Sequence, residues 1–252
     1  MKVKVTIGEP KDPEETLVLV DVLRSSTTIS IALLNGAKYV IPFKKSDEAR
    51  AAKDRLGEVE DILLVGEEFG TKPEGFDMTN STRNMKKKNV EGKVLLYRSS
   101  NLTRVLEASR ESERISVGGP INARAVANYL DSLNPETVEI VACGMTGEEA
   151  IYLNETYGFF CDPGNEISVE DIIGAGSIID HLNPDELSDL AIVSLLAWRN
   201  SEWKKWAEKG STSQLLYELG SETDLEDCFS LNKVDIVPIL REGRLESYIP
   251  DR

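Results

Sequence analysis

Histidine and cysteine, the usual side chains of nucleophilic and soft-metal chemistry, are scarce in this chain. Its 252 residues include one histidine, His181, and three cysteines, Cys143, Cys161 and Cys228. Scattered cysteines of that number give neither a disulfide framework nor paired zinc spacing. A lone histidine excludes a His-rich metal site and argues against a His-dependent triad. Long apolar runs are also missing: none approaches the roughly 20 residues that span a bilayer. The first residues, Met1-Lys2-Val3-Lys4-Val5, lack the apolar region of a signal peptide. Positive charge is in short supply too, with 29 Lys+Arg against 44 Asp+Glu and a net charge of −15. That balance repels a phosphate backbone, and the only basic cluster, Lys86-Lys87-Lys88, reads as solvated surface. A cytoplasmic protein with no nucleic-acid and no membrane partner is expected.

Several catalytic signatures are absent as well. There is no Walker lysine loop and no G-x-S-x-G elbow. The positions six residues after each cysteine hold Glu149, Ile167 and Val234, where a cysteine-phosphatase loop needs arginine. Asp21 ends a strand-like run as an aspartyl-phosphate nucleophile would. The residue two further on is Leu23, which breaks the D-x-D pattern of the haloacid-dehalogenase phosphatases. Hydrolytic chemistry in such a chain falls to carboxylates and a hard metal.

What is present is a globular composition, 40% hydrophobic and 29% charged, long enough for one large core or two modest ones. Short apolar runs at 16–22, 39–43, 62–65, 94–97, 115–117 and 138–142 read as strands. Helical patterns at 29–34, 46–56, 103–109 and 122–130 fall between them. The alternation predicts a layered α/β/α arrangement around a largely parallel sheet, as a single domain with no clear internal boundary. Asn183-Pro184-Asp185-Glu186 has the capping pattern of a helix start. Runs at 236–240 and 245–249 around Glu242-Gly243 predict a C-terminal hairpin.

Five constellations fall where strands give way to helices, the usual ligand position in α/β sheets. Asp21 to Thr28 offers Asp21 as a metal ligand, and Arg24, Ser25 and Ser26 at a helix N-terminus suited to an anion. An N-cap serine and a surface ion pair explain the same residues. Gly66-Glu67 followed by Gly75 to Ser81 provides Glu67, Asp77 and Asn80, oxygen donors suited to Mg²⁺ or to ordinary turns. Arg98 to Arg104 combines Arg98, Asn101 and Thr103, as a phosphate cradle or a cap. Gly118 to Ala123 places Asn122 after two glycines. In Ser168 to Gly176 a capping box explains Asp171 but not Glu170, which points about 100° away around the helix. Gly174 and Gly176 inside that helix each cost roughly 1 kcal/mol against alanine, a cost that close packing beside a site would justify.

In this order, the segments resemble the 2-phosphosulfolactate phosphatase family of coenzyme M biosynthesis. Its D-V-L-R-A-[ST]-[ST]-T segment reads here as Asp21 to Thr28, with Ser25 at the alanine, and its E-D-x-x-x-A-G is met in full by Glu170 to Gly176. Gly66-Glu67 with Gly75 to Thr82, Ser99 to Thr103, Asn122-Ala123 and the stretch from Leu225 to Pro238 follow the remaining patterns. The chain departs at Thr79, Thr82 and Leu102, and in an extended 147–168 stretch carrying Tyr152, Tyr157, Phe159 and Phe160, readable as an added hairpin or lid. The resemblance implies an α/β phosphatase that uses Mg²⁺ and a small anionic phosphorylated substrate. It makes Asp21, Glu67, Asp77, Glu170 and Asp171 the candidate acids. Asp21, Glu67, Asp77 and Glu170 are then the expected metal ligands, and Asp21, Glu170 and Asp171 the expected catalytic groups. Arg24, Ser25, Ser26, Asn80, Arg98, Asn101, Thr103 and Asn122 are the expected substrate-binding groups. A phosphatase for another small hydroxy acid and a non-catalytic phosphometabolite-binding protein are the alternatives. A homodimer is a possible assembly, as for many enzymes of this size.

Overall fold

A computed structural model describes residues 1–250. The chain begins with β1 (Lys2–Ile7), β2 (Thr16–Val20), α1 (Ser25–Leu34), β3 (Tyr39–Phe43) and α2 (Ser46–Leu56). It continues through β4 (Ile62–Gly66), α3 (Thr82–Lys87), β5 (Val94–Arg98), α4 (Leu102–Ala108) and β6 (Arg114–Gly118). Then come α5 (Ala123–Leu133), β7 (Thr137–Ala142), α6 (Gly147–Tyr157), α7 (Val169–Ile179), β8 (Glu186–Leu187) and α8 (Asp189–Arg199). Short helices α9 (Trp203–Ala207), α10 (Ser211–Glu218) and α11 (Asp224–Cys228) lead to the hairpin β9 (Val237–Arg241) and β10 (Arg244–Tyr248).

Among the described residues the strands form one mixed, mostly parallel sheet in the order β4-β5-β3-β10-β9-β6-β2-β7-β1-β8. The expected α/β class is observed. β4, β5 and β3 are mutually parallel, and so are β6, β2, β7, β1 and β8. The terminal hairpin turns through Glu242 and Gly243, both at positive φ as a two-residue turn requires. It joins the two parallel groups by antiparallel pairing, with Leu245 opposite Val40 and Ser116 opposite Ile239. The hairpin is therefore the internal bridge of the sheet.

Alternation along the strands divides the core. Leu63, Val65, Leu95 and Tyr97 share one cluster with Leu17, Leu19, Ile115 and Val117 from the other strand group. Ile29, Ile31 and Leu33 of α1 and Leu102, Val105 and Leu106 of α4 fill that same cluster. This is why the 29–34 segment is apolar almost all round: both of its sides are buried through Leu33, and only Leu34 at its end is exposed. Ile62, Leu64, Val94 and Leu96 face Ala49 and Ala52 of α2 instead. Val18, Val20, Val138 and Ile140 face the cluster that includes α5, α7 and α8.

Two expectations need correction. The helix expected from Asn183 starts at Asp189, where the Ser188 hydroxyl accepts the Ala191 N–H, and Glu186–Leu187 instead pairs with β1. A strand edge had an unpaired partner to offer, and that outweighed the local capping pattern. The 147–168 stretch holds a helix, α6, rather than a hairpin; Thr146 caps it through the Glu149 N–H and Gly158 ends it in the left-handed region.

Candidate active site

The loops after β2, β4, β5 and β7 meet. Asp21 leaves β2 and is buried. Its carboxylate faces the starts of two helices, accepting the Ser25 N–H of α1 at 3.4 Å and the Leu102 N–H of α4 at 3.1 Å. The helix N-termini expected to hold a substrate anion thus hold the chain's own anion. Glu67, after β4, accepts N–H groups from Ser100 at 2.6 Å and Gly70 at 2.8 Å. Asn101 at the start of α4 makes no cap; its amide donates to Glu149 Oε2 at 3.1 Å. Glu149, in the first turn of α6, is buried despite its helix-surface position.

Asp21, Glu67 and Glu149 line one narrow pocket with Arg24, Ser25, Asn80 and Asn101. Leu23, Thr212, Leu215 and Leu216 close its other side. Ser25 Oγ, Asn80 Oδ1, Asn101 Oδ1 and the nearby Glu170 Oε2 are buried with no hydrogen-bond partner. Burial and mutual repulsion shape the acids. Burial pushes Asp21 up to about 6, with Glu67 adding to the rise and the Ser25 and Leu102 groups opposing it. Glu149 is pushed up to about 8 by burial and the neighbouring Glu67, Asp21 and Glu170 charges, against its Asn101 hydrogen bond. Burial raises Glu170 to about 7; Thr212 works against the rise and Asp21 with it.

The remaining expected residues fall in other roles. Asp171 is buried, and its oxygens accept the Val22 N–H at 2.8 Å and the Gly144 N–H at 2.9 Å. It fastens the ends of β2 and β7 together. Asp77 points away from the pocket, accepting from Leu64 N at 2.7 Å and Lys53 Nζ at 2.9 Å. Burial would raise its pKa, but those two donors hold it below the ordinary value. A metal-ligand role for Asp77 is not what its position offers. Arg98 bonds the Glu67 carbonyl and Ser100 Oγ and so braces its own loop. Thr103 closes a turn onto the Ser99 carbonyl at 2.5 Å, and the Ser26 hydroxyl accepts the Asp21 N–H at 2.9 Å. The Asn122 amide donates to Val117 O and Ile236 O and its Oδ1 accepts from Gly119 N, so it staples β6 to the approach of the hairpin. Neither Asn122 nor Thr103 reaches the pocket, because their side chains satisfy buried backbone groups instead.

Arg24 lines the pocket, but its guanidinium is shared with Asp224 at 3.1 Å and the Gly70 carbonyl at 3.3 Å. Asp224 also accepts from Ser81 Oγ, Thr82 Oγ1 and Arg83 N, all within 3.0 Å. Sequence reasoning missed Asp224 and Glu149. Asp224 carries no motif signal. Glu149 stands three residues after Thr146, the cap of α6, a spacing that signals a helix start and not a site.

Residues 4–243 match the model of the family described as 2-phosphosulpholactate phosphatase. A protein of Caldanaerobacter subterraneus subsp. tengcongensis is 32% identical over 235 residues, covering 91% of this chain and 89% of its own length. One from Clostridium perfringens strain SM101 is 32% identical, covering 98% and 96%. One from Carboxydothermus hydrogenoformans is 33% identical, covering 92% and 90%. Each is named "Probable 2-phosphosulfolactate phosphatase".

Proposed function

The chain belongs to the 2-phosphosulpholactate phosphatase family and is a phosphoric monoester hydrolase, and we propose that it hydrolyses 2-phosphosulfolactate to sulfolactate and phosphate in a Mg²⁺-dependent reaction in the cytoplasm, as a step of coenzyme M biosynthesis. The observation that carries the reading is charge. Asp21, Glu67 and Glu149 converge on one small pocket, and its one guanidinium, Arg24, is already paired with Asp224. A phosphate dianion enters such a pocket only with added positive charge.

The donor set suits magnesium. Among the described residues no three Asp, Glu, His or Cys side chains stand close enough to hold an ion by themselves. Magnesium, however, is typically held by one or two carboxylates, water and substrate phosphate. Asp21 and Glu67 would hold it, and the unpartnered Ser25, Asn80 and Asn101 oxygens are hard donors beside them. When bound, the ion neutralises charge on the phosphate oxygens. Arg24, fixed by Asp224 and Gly70, orients the phosphate. Glu149, protonated at neutral pH, gives its proton to the leaving oxygen of the alcohol. Glu170, behind the residues that line the pocket and with a buried, unpartnered Oε2, is the acid assigned to take a proton from the attacking water.

The test is phosphate release from 2-phosphosulfolactate with Mg²⁺ and with a chelator. Chelator-sensitive release supports the reading. A folded protein that releases none with Mg²⁺ present refutes it. Among the described residues Arg24, itself paired with Asp224, is the only cation lining the pocket, which favours, as the alternative, a small phosphorylated hydroxy acid of lower charge. A panel of three-carbon phosphate esters separates the two. Tight binding of those esters without phosphate release would identify a non-catalytic binding protein.

A further inference from the structure

Three aromatic residues of the 147–168 stretch, Tyr152, Tyr157 and Phe159, form a row that starts at Phe69 in the loop after Glu67. Tyr152 lies about one turn beyond Glu149 on α6 and stacks on Phe69, with ring centroids 4.9 Å apart and planes 26° from parallel. Tyr157 meets Tyr152 edge-on at 6.1 Å, and Phe159 continues the row at 5.6 Å. Phe69 follows Glu67 by two residues, in the loop whose Gly70 N–H binds the Glu67 carboxylate. Its φ of 47° is left-handed, a conformation that bulky side chains rarely adopt. Such a residue persists only where its surroundings hold it. Here the Phe69 N–H donates to Ser100 Oγ at 3.4 Å, and the next residue, Gly70, lies against Leu215 and Leu219. Leu215 packs in turn with Ala150 and Leu153 of α6.

We propose that Phe69 and Tyr152 are positioning residues whose stack fastens α6 to the Glu67 loop and so fixes how Glu149 and Glu67 face each other across the pocket. The proposal rests on the reading of that pocket as the phosphatase site. The two acids come from segments distant in sequence, and no hydrogen bond joins their carboxyl groups among the described residues. Their relative placement therefore depends on packing between the elements that carry them. Ring stacking biases such docking by roughly two- to twelvefold. Small misplacements of reacting groups are amplified in rate, to about a hundredfold per ångström.

The test uses the full chain with Phe69→Leu, Tyr152→Leu, the double variant and Tyr152→Phe. The readouts are kcat and KM for phosphate release, thermal melting, and amide exchange across residues 67–70 and 147–157. Each leucine variant is expected to lower kcat about tenfold, with KM nearly unchanged and melting close to wild type. Tyr152→Phe, which keeps the ring, should retain wild-type kcat. The double variant should be no slower than the singles, since each removes the same contact. Unchanged kcat in the singles, losses that multiply in the double, or losses that follow the unfolded fraction overturn the proposal. If wild-type protein releases phosphate from none of the esters, the proposed activity fails and amide exchange decides the stack. Faster exchange at 67–70 in Tyr152→Leu then supports it, and unchanged exchange refutes it.

Discussion

Asp21 and Asp77 show how little a residue's type reveals about its work. Both are aspartates in glycine- or serine-rich segments after strands. Asp21 is buried at the starts of two helices and lines the pocket, while Asp77 is tied to Lys53 beside α2. Glu149 shares the pocket with Asp21, and their environments push them to different protonation states, about 8 against about 6. Glu149→Gln keeps an acceptor for the Asn101 amide and removes the proton. It is expected to lower kcat by about 100-fold or more, with melting little changed. Asp77→Asn should leave kcat within about twofold and lower stability by about 1 kcal/mol. Steady-state kinetics and denaturant unfolding on both variants check the contrast; an inactive Asp77→Asn would restore the metal-ligand role that its position argues against.

At the scale of elements, the glycines of α7 are explained by contact. A Cβ on Gly174 would stand 2.5 Å from Val22 Cγ2, and one on Gly176 would stand 2.0 Å from the Ser194 carbonyl oxygen. The first clash is with a side chain next to Asp21, the second with the backbone of α8. Alanine at 176 regains about 1 kcal/mol of helix propensity but forces two packed helices apart. A net loss of about 2 kcal/mol or more is expected, seen as a lower urea midpoint with an unchanged slope; a stabilised Gly176→Ala would contradict the packing. The expectation of close packing was legible because helix glycines are costly without a reason. The start of α8 was not, because the Asn183 pattern and the true Ser188 cap are equally good local signals. Pairing of Glu186–Leu187 with β1 chose between them.

Across the whole molecule, buried acids tie stability to pH and to cations. Asp21, Glu170 and Glu149 bind protons more tightly in the folded chain, at about 6, 7 and 8, than ordinary carboxylates do. The unfolded chain therefore binds fewer protons over that window. Stability contributed by these groups is complete below the ordinary carboxylate range and is lost as pH rises through the raised values. Metal-free protein is expected to melt at a lower temperature at pH 8 than at pH 5.5. The difference should shrink in Glu149→Gln, and Mg²⁺ should raise melting at pH 8. Melting curves in chelator and in Mg²⁺ test this, and a metal-free protein that gains stability between those pH values would contradict it.

The sequence by itself determined the α/β class, most strand and helix positions, the hairpin, and the segments that supply Asp21, Glu67 and Glu170. Those features follow from local periodicity, turn chemistry and strand-to-helix junctions, each read within a few residues. Tertiary structure alone decided that the hairpin lies inside the sheet and that α1 is buried from both sides. It also decided that Asp171, Asn122 and Thr103 bond backbone groups, that Glu149 lines the pocket and that Asp224 pairs with Arg24. These outcomes depend on which distant chain segments supply the missing hydrogen-bond partner or the excluded solvent. That is set by how sheet and helices close on one another, and no stretch of sequence carries it alone.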